Sequence, residues 1–157
     1  MPIPETQKEK INSLVKGIIE YMNLDCRVDL REESIEKNTL LVSVYVPERA
    51  SFLIGKNGQN LSAIEHIVRS IILKSEKEIG TILVDVNDYR KSRSNYIIDI
   101  AKHAVMRVRN TQRAETLSPM PPHERRIVHM ELASYPDIAT ESIGDDPQRR
   151  IIIKPYP

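Results

Sequence analysis

Apolar positions along the chain follow two periods. After Pro2 and Pro4, residues Ile11, Leu14, Val15, Ile18, Ile19 and Met22 recur at the spacing of one helical face, which predicts an amphipathic helix ending near Asn23. Cys26, Val28 and Leu30 then alternate with Arg27, Asp29 and Arg31, the period of a half-buried strand. A charged turn at Glu36-Lys37-Asn38 leads to Leu40, Val42, Val44 and Val46, a second strand rich in β-branched residues, so the two strands read as a hairpin. Pro47 ends that strand and suits the first turn of a short helix over 48–53. From Gln59, the stripe Leu61, Ile64, Ile67, Val68, Ile71 and Ile72 predicts a second amphipathic helix reaching about Lys77, with Gly80 capping its exit and Thr81 to Val86 forming a strand.

The second half repeats neither this order nor its spacing. Asn87 or Asp88 is suited to cap a helix with the stripe Ile97, Ile100, Ala101, Ala104, Val105 and Val108. No Gly or Pro separates this helix from the preceding strand, which predicts a close junction. Ser118-Pro119-Met120-Pro121-Pro122 breaks the pattern, and the paired prolines start a helix over 123–134 that Tyr135-Pro136 stops. A last hairpin follows, with strands over 138–143 and 149–154 and a turn at Gly144-Asp145-Asp146-Pro147. The elements predict an α+β protein of two small domains, 6–87 and 88–157, and 40% apolar residues in 157 are enough to pack both.

Charge refines this picture only when it is divided along the chain. The formal net charge is +1, but residues 88–157 hold 12 Lys/Arg against 9 Asp/Glu. Within 88–113, Arg90, Lys91, Arg93, Lys102, Arg107, Arg109 and Arg113 face only Asp88 and Asp99. Such a helix either gathers phosphates or presents an ordinary solvated face, and both readings follow from composition. No apolar run approaches the roughly 20 residues of a membrane span, and the N-terminus lacks the charged and apolar regions of a signal peptide. A cytoplasmic protein is expected, and the single Cys26 is expected to be a small core residue without disulfide, redox or metal partner.

Between two helical stretches lies Gly55-Lys56-Asn57-Gly58. A Gly-x-x-Gly loop lets a nucleic-acid backbone approach closely, Lys56 offers a point charge for phosphate, and Asn57 offers a neutral hydrogen-bonding group. The helix that follows adds unpaired N–H groups and the positive end of its dipole, with Ile54 and Leu61 as candidate groove walls. A phosphate-loop NTPase needs four residues between its glycines and a Ser/Thr after the Lys, and this loop has neither. Ile54-Gly55-Lys56-Asn57-Gly58-Gln59, placed after a hairpin and before another strand, resembles the signature loop of a KH domain in its type II arrangement, over residues 6–87. The resemblance implies an α-β-β-α-α-β fold with RNA contacts at Ile54, Gly55, Lys56, Asn57, Gly58 and Gln59.

In the second module Arg125 and His129 lie four apart and share one helical face, with Arg126 and Glu124 alongside. Arg125 is either a fork donor for phosphate or a structural ion-pair partner, and His129 either stacks on a base or is a satisfied half-buried residue. Pro121-Pro122-His123-Glu124-Arg125-Arg126-Ile127-Val128-His129, followed by Thr140-Glu141-Ser142 and Arg149-Arg150, resembles the R-three-H domain, over 88–157. That resemblance implies helices packed on a small sheet and single-stranded nucleic-acid contacts at Arg125, Arg126, His129, Arg149 and Arg150. A KH domain joined to an R-three-H domain is similar to the bacterial Jag family, also called SpoIIIJ-associated. The family likeness implies single-stranded RNA, and in a looser sense DNA, as ligand, a homodimer or a heterodimer with a small KH-only protein, and regulation of cell elongation, division or sporulation. Family members commonly carry an N-terminal Jag domain that is not visible before Met1, so either a short family member or a truncated chain is expected.

Catalysis would have to use His123, Glu124 and His129. The two histidines are six residues apart, about 240° round a helix, so they diverge and do not make a zincin pair. No enzyme activity, metal or cofactor is therefore expected. One Phe and no Trp argue against an RRM-like stacking platform. A protein-interaction scaffold, with nucleic-acid binding secondary, is the alternative to an RNA-binding regulator.

Overall fold

The computed structural model describes residues 3–34, 39–75 and 80–156 as two compact units, Met1–Arg90 and Lys91–Pro157. In the first, helix α1 (Glu5–Tyr21) precedes strands β1 (Arg27–Ser34) and β2 (Thr39–Tyr45), helices α2 (Ala50–Ile54) and α3 (Gln59–Ser75), and strand β3 (Thr81–Val86). This is the order α-β-β-α-α-β. The expected charged turn at Glu36-Lys37-Asn38, the end of the helix near Lys77 and its exit toward Gly80 fall on or beside 35–38 and 76–79, outside the described residues.

Strand β1 pairs antiparallel with β2, confirming the hairpin, and the crossover through α2 and α3 sets β3 parallel to β2 with Val42 opposite Val84. Alternation along β2 buries Leu40, Val42 and Val44, and Val28, Ile82, Val84 and Val86 join them from the flanking strands. Ile11, Val15 and Ile19 of α1 and Leu61, Ile64, Val68 and Ile72 of α3 complete one core. Each helix buries one residue per turn or so because a single stripe faces the sheet.

Three local expectations change. Met22, Ile67 and Ile71 continue the helical stripes but are exposed, the last two by 48% and 46%, because the sheet covers less than the full width of apolar sequence. Pro47 lies in a bend, and Arg49, with φ 59°, turns the chain into α2, which starts at Ala50. Asn87 and Asp88 both adopt left-handed φ and do not cap the next helix through their side chains in the expected way. Asp85 Oδ1 instead accepts from Val86 N (2.9 Å) and Arg90 N (3.1 Å), and the Asn87 side chain returns to β2.

The second unit follows from α4 (Tyr89–Thr111), whose first two residues belong to the first unit, through β4 (Glu115–Thr116), α5 (Pro122–Leu132), β5 (Ile138–Ile143) and β6 (Arg150–Pro155). Pro121 is extended before the helix and Pro122 occupies its first turn, where a missing N–H costs nothing. The strand order is β4-β6-β5, all antiparallel, and β4 is a two-residue strand that sequence periodicity does not reveal. Ile97, Ala101, Ala104, Val105 and Val108 of α4 pack with Val128, Leu132, Ile138, Ile151 and Ile153. The fold is α+β throughout, and among the described residues no helix is long and apolar enough to cross a membrane.

Candidate nucleic-acid interface

Residues Lys56–Gly58 form a single 3₁₀ turn between α2 and α3. Gly55 has φ 71° and Gly58 φ 80°, the left-handed region that favours glycine. A Cβ on Gly55 would lie 2.6 Å from Asn60 Cγ, and one on Gly58 would lie 3.0 Å from the Tyr89 ring. Both glycines are thus required by the turn and by its inner packing, which adds a cause that spacing did not show. Asn57 has φ 52°, a conformation Asn tolerates better than most residues. Gly55 N donates to Ser51 O (2.9 Å) and Asn60 Nδ2 to Phe52 O (2.8 Å), tying the loop to α2. Lys56, Asn57 and Gln59 are exposed and Ile54 is half-buried, whereas Leu61 lies in the core and is no groove wall.

In the second unit the Arg-three-His face divides. Arg125 is only 8% exposed, and its Nη1 donates to Met120 O (2.8 Å) and Asp146 Oδ1 (2.9 Å). The structural alternative left open by the spacing describes it better than an open fork, since Arg125 fastens the turn before β6 to the start of α5. His129 is half-buried, with Nδ1 2.7 Å from Thr140 Oγ1. Two residues along β5, on the same face, Ser142 Oγ accepts from Arg149 Nε (3.1 Å). Arg150 is half-buried and donates from Nε to Gln148 O (3.1 Å), and Arg126 is exposed. His129, Thr140, Ser142 and Arg149 therefore form one polar row, while Glu141 points away and pairs with Lys154.

The sequence model of the R-three-H domain matches residues 95–155. A protein of Clostridium symbiosum called RNA-binding protein KhpB is 31% identical over 151 residues, covering 95% of this chain and 66% of that protein. The chain belongs to the Jag (KhpB) family. The Bacillus subtilis RNA-binding protein KhpB is 32% identical over 68% of this chain and 52% of its own length, and that of Streptococcus pneumoniae is 24% identical over 92% and 43%. The chain thus spans from under half to about two-thirds of the length of these relatives.

In this Jag-family chain the basic helix turns out to be largely neutralised. Arg90 pairs with Glu65, and Arg93 makes a bidentate pair with Glu124 at 2.7 and 3.0 Å. Lys102 meets Glu131 (3.0 Å), Arg107 meets Glu115 (2.9 Å), and Arg109 is bidentate on Asp137 (2.7 and 2.8 Å). These bonds raise the pKa of Lys102, Arg107 and Arg109 and lower that of Asp137. Of the seven cations only Lys91 and Arg113 lack an ion pair among the described residues. The excess of +5 is thus opposed by acids distant in sequence, and the helix serves chiefly as a frame. Glu124, 1% exposed, is part of that frame through its pair with Arg93. Among the described residues no group of three or more His, Cys, Asp or Glu is placed to hold a metal.

Sequence reasoning missed Tyr89 beneath Gly58 and the Glu124–Arg93 and Arg125–Asp146 pairs. The Thr140-Glu141-Ser142 segment was the one usable signal, since its alternation separates the two inward hydroxyls from Glu141.

Proposed function

We propose that this chain is an RNA-binding regulatory protein that holds single-stranded RNA at the Gly55–Gly58 loop of a type II KH domain (6–87), with further contacts from an R-three-H domain (88–157). The observation that carries the reading is the loop itself: a glycine-dependent turn, braced on Asn60 and Tyr89, that leaves Lys56 and Asn57 in solvent. A short backbone-approach loop with one cation fits a stretch of about four nucleotides. Ile54 and Gln59 flank it, and the second contact is the row His129, Arg149 and Ser142 with Arg126 and Arg150 at its margin. Arg125 acts there by positioning the turn that carries Arg149. RNA binding is also what the relatives' names state, and the cellular role proposed with it is control of elongation, division or sporulation in a bacterial cytoplasm. The function is binding, not catalysis, and needs no cofactor.

The test replaces the exposed pair and spares the glycines. Lys56→Asp with Asn57→Asp puts two carboxylates where phosphate lies, and Asp tolerates the left-handed backbone at 57. Fluorescence anisotropy with single-stranded RNA is expected to show at least about a tenfold loss. Wild-type affinity in a variant with an unchanged circular dichroism spectrum refutes the loop as main contact. A second reading, pairing of two chains or of this chain with a small KH-only protein, is favoured by Ile67 and Ile71, which lie exposed one turn apart on α3. Sedimentation of Ile67→Glu against wild type decides it: a shift from dimer to monomer supports pairing, and a monomeric wild type with no KH-only partner bound removes it.

A further inference from the structure

We infer that a shallow pocket at one end of the first sheet, walled by Tyr45, is a further base-binding position for the strand held at the Gly55–Gly58 loop; the inference rests on the RNA-binding reading above. The pocket has a volume of about 500 Å³ and is lined by Asp25, Cys26, Arg27, Tyr45, Pro47 and Asn87, together with Val46. Arg27 and Tyr45 are register partners on β1 and β2, and the guanidinium carbon lies 4.7 Å from the ring centroid. Arg27 also sits 3.3 Å from Asp29, yet its side chain remains 71% exposed. Arg27 already covers one face of the Tyr45 ring, so a splayed base takes the ring's other face or displaces the guanidinium, which stays in solvent within reach of the base's phosphate.

The wall opposite is preformed. Asn87 Oδ1 accepts from Val46 N (2.9 Å), its Nδ2 donates to Val46 O (2.8 Å), and its own N–H reaches Val44 O (2.9 Å). The side chain thereby continues the β2–β3 pairing one step beyond Val86, so no rearrangement is needed to shape the site. Burial pushes the Cys26 thiol up, with Glu20 adding to it, which keeps a thiolate out of the pocket. Asp25 remains as an acceptor for an exocyclic amine.

Continuity with the loop identifies the occupant. Asn87 precedes by two residues Tyr89, whose ring meets Gly58. Two residues span at most about 7 Å. Pocket and loop therefore adjoin the same segment, 87–89, while Tyr45, of opposite parity to the buried Leu40, Val42 and Val44, lies on the other face of the sheet. A strand that occupies both has to pass round that segment and so must be several nucleotides longer than the loop's own stretch.

Anisotropy titrations of the full chain with oligouridines of four and eight nucleotides test this. Wild type should bind the longer oligonucleotide more tightly. Tyr45→Leu should lose roughly 5- to 150-fold for the eight-mer, the range for one base stacked on an aromatic ring, with the four-mer unchanged. Tyr45→Phe, which keeps the ring, should behave as wild type. A folded Tyr45→Leu variant that binds both lengths normally overturns this inference alone, and a wild type that binds neither overturns the RNA reading with it. Should the variant fail to fold, crosslinking of wild type to 4-thiouridine octamers is decisive: adducts at Tyr45 support the site, and adducts confined to the loop peptide remove it.

Discussion

Salt dependence separates cations that meet phosphate from cations already engaged. For single strands, each phosphate contact contributes about 0.7 to the slope of log affinity against log salt. Lys56 is exposed at the loop tip, so Lys56→Gln should lower the slope by about 0.7. Between roughly 50 and 200 mM salt, that one contact accounts for about a 2.6-fold change in affinity. Arg107 is the control. Its guanidinium Nε lies 2.9 Å from both oxygens of Glu115, and a phosphate that took it would come to lie beside a displaced carboxylate. Replacing the pair together, Arg107→Gln with Glu115→Gln, keeps net charge constant and should leave the slope unchanged. The measurement is anisotropy of a labelled oligouridine at four or more salt concentrations, with folding checked by circular dichroism. If the charge-neutral pair replacement lowered the slope as much as Lys56→Gln, the paired helix would be a phosphate-binding surface after all, and the argument from ion pairing would fail.

Two further outcomes concern the frame. Glu124→Ala leaves the Arg93 guanidinium, 20% exposed, without its buried bidentate partner, and should destabilise the second unit by about 3 kcal/mol in urea unfolding; a loss under about 1 kcal/mol would mean that water replaces the carboxylate freely. Asp85 is raised above the ordinary carboxylate range mainly by burial, opposed by the backbone amides of Arg90 and Val86. The folded state therefore holds its proton to higher pH than the unfolded chain, so this group lowers stability as pH rises from about the unfolded Asp value through the folded one. Asp85→Asn, which keeps an acceptor for both amides, should remove that decline. A stability–pH profile with the same slope as wild type in this window would disprove it.

Several features are legible in the amino-acid sequence. The spacing of Ile11, Val15 and Ile19, and of Ile97, Ala101, Ala104 and Val108, placed α1 and α4, because a helical face is a local property. Pro121-Pro122 marked the start of α5, and Gly144 marked the last turn. The loop at 55–58 stood out through its glycines. Other features had no local signature. Ile67 and Ile71 carry the same apolar pattern as Val68 and Ile72, and only the width of the sheet decides which of them it covers. Strand β4 is too short to show a period.

Sequence alone determined most of the elements and their order, β4 excepted, and drew attention to the glycine loop, since periodicity, proline and glycine act within a few residues. Tertiary structure decided which charges remain available. Arg93, Arg107 and Arg109 find Glu124, Glu115 and Asp137 at separations of 31, 8 and 28 residues, and Arg125 finds Asp146 at 21. Coulombic and hydrogen-bonding partners are set by proximity in space, which chain spacing does not encode. The same reason moved the cap of α4 to Asp85 and placed Tyr89 beneath Gly58, so that a loop read as an opening for phosphate is also a packed joint of the fold.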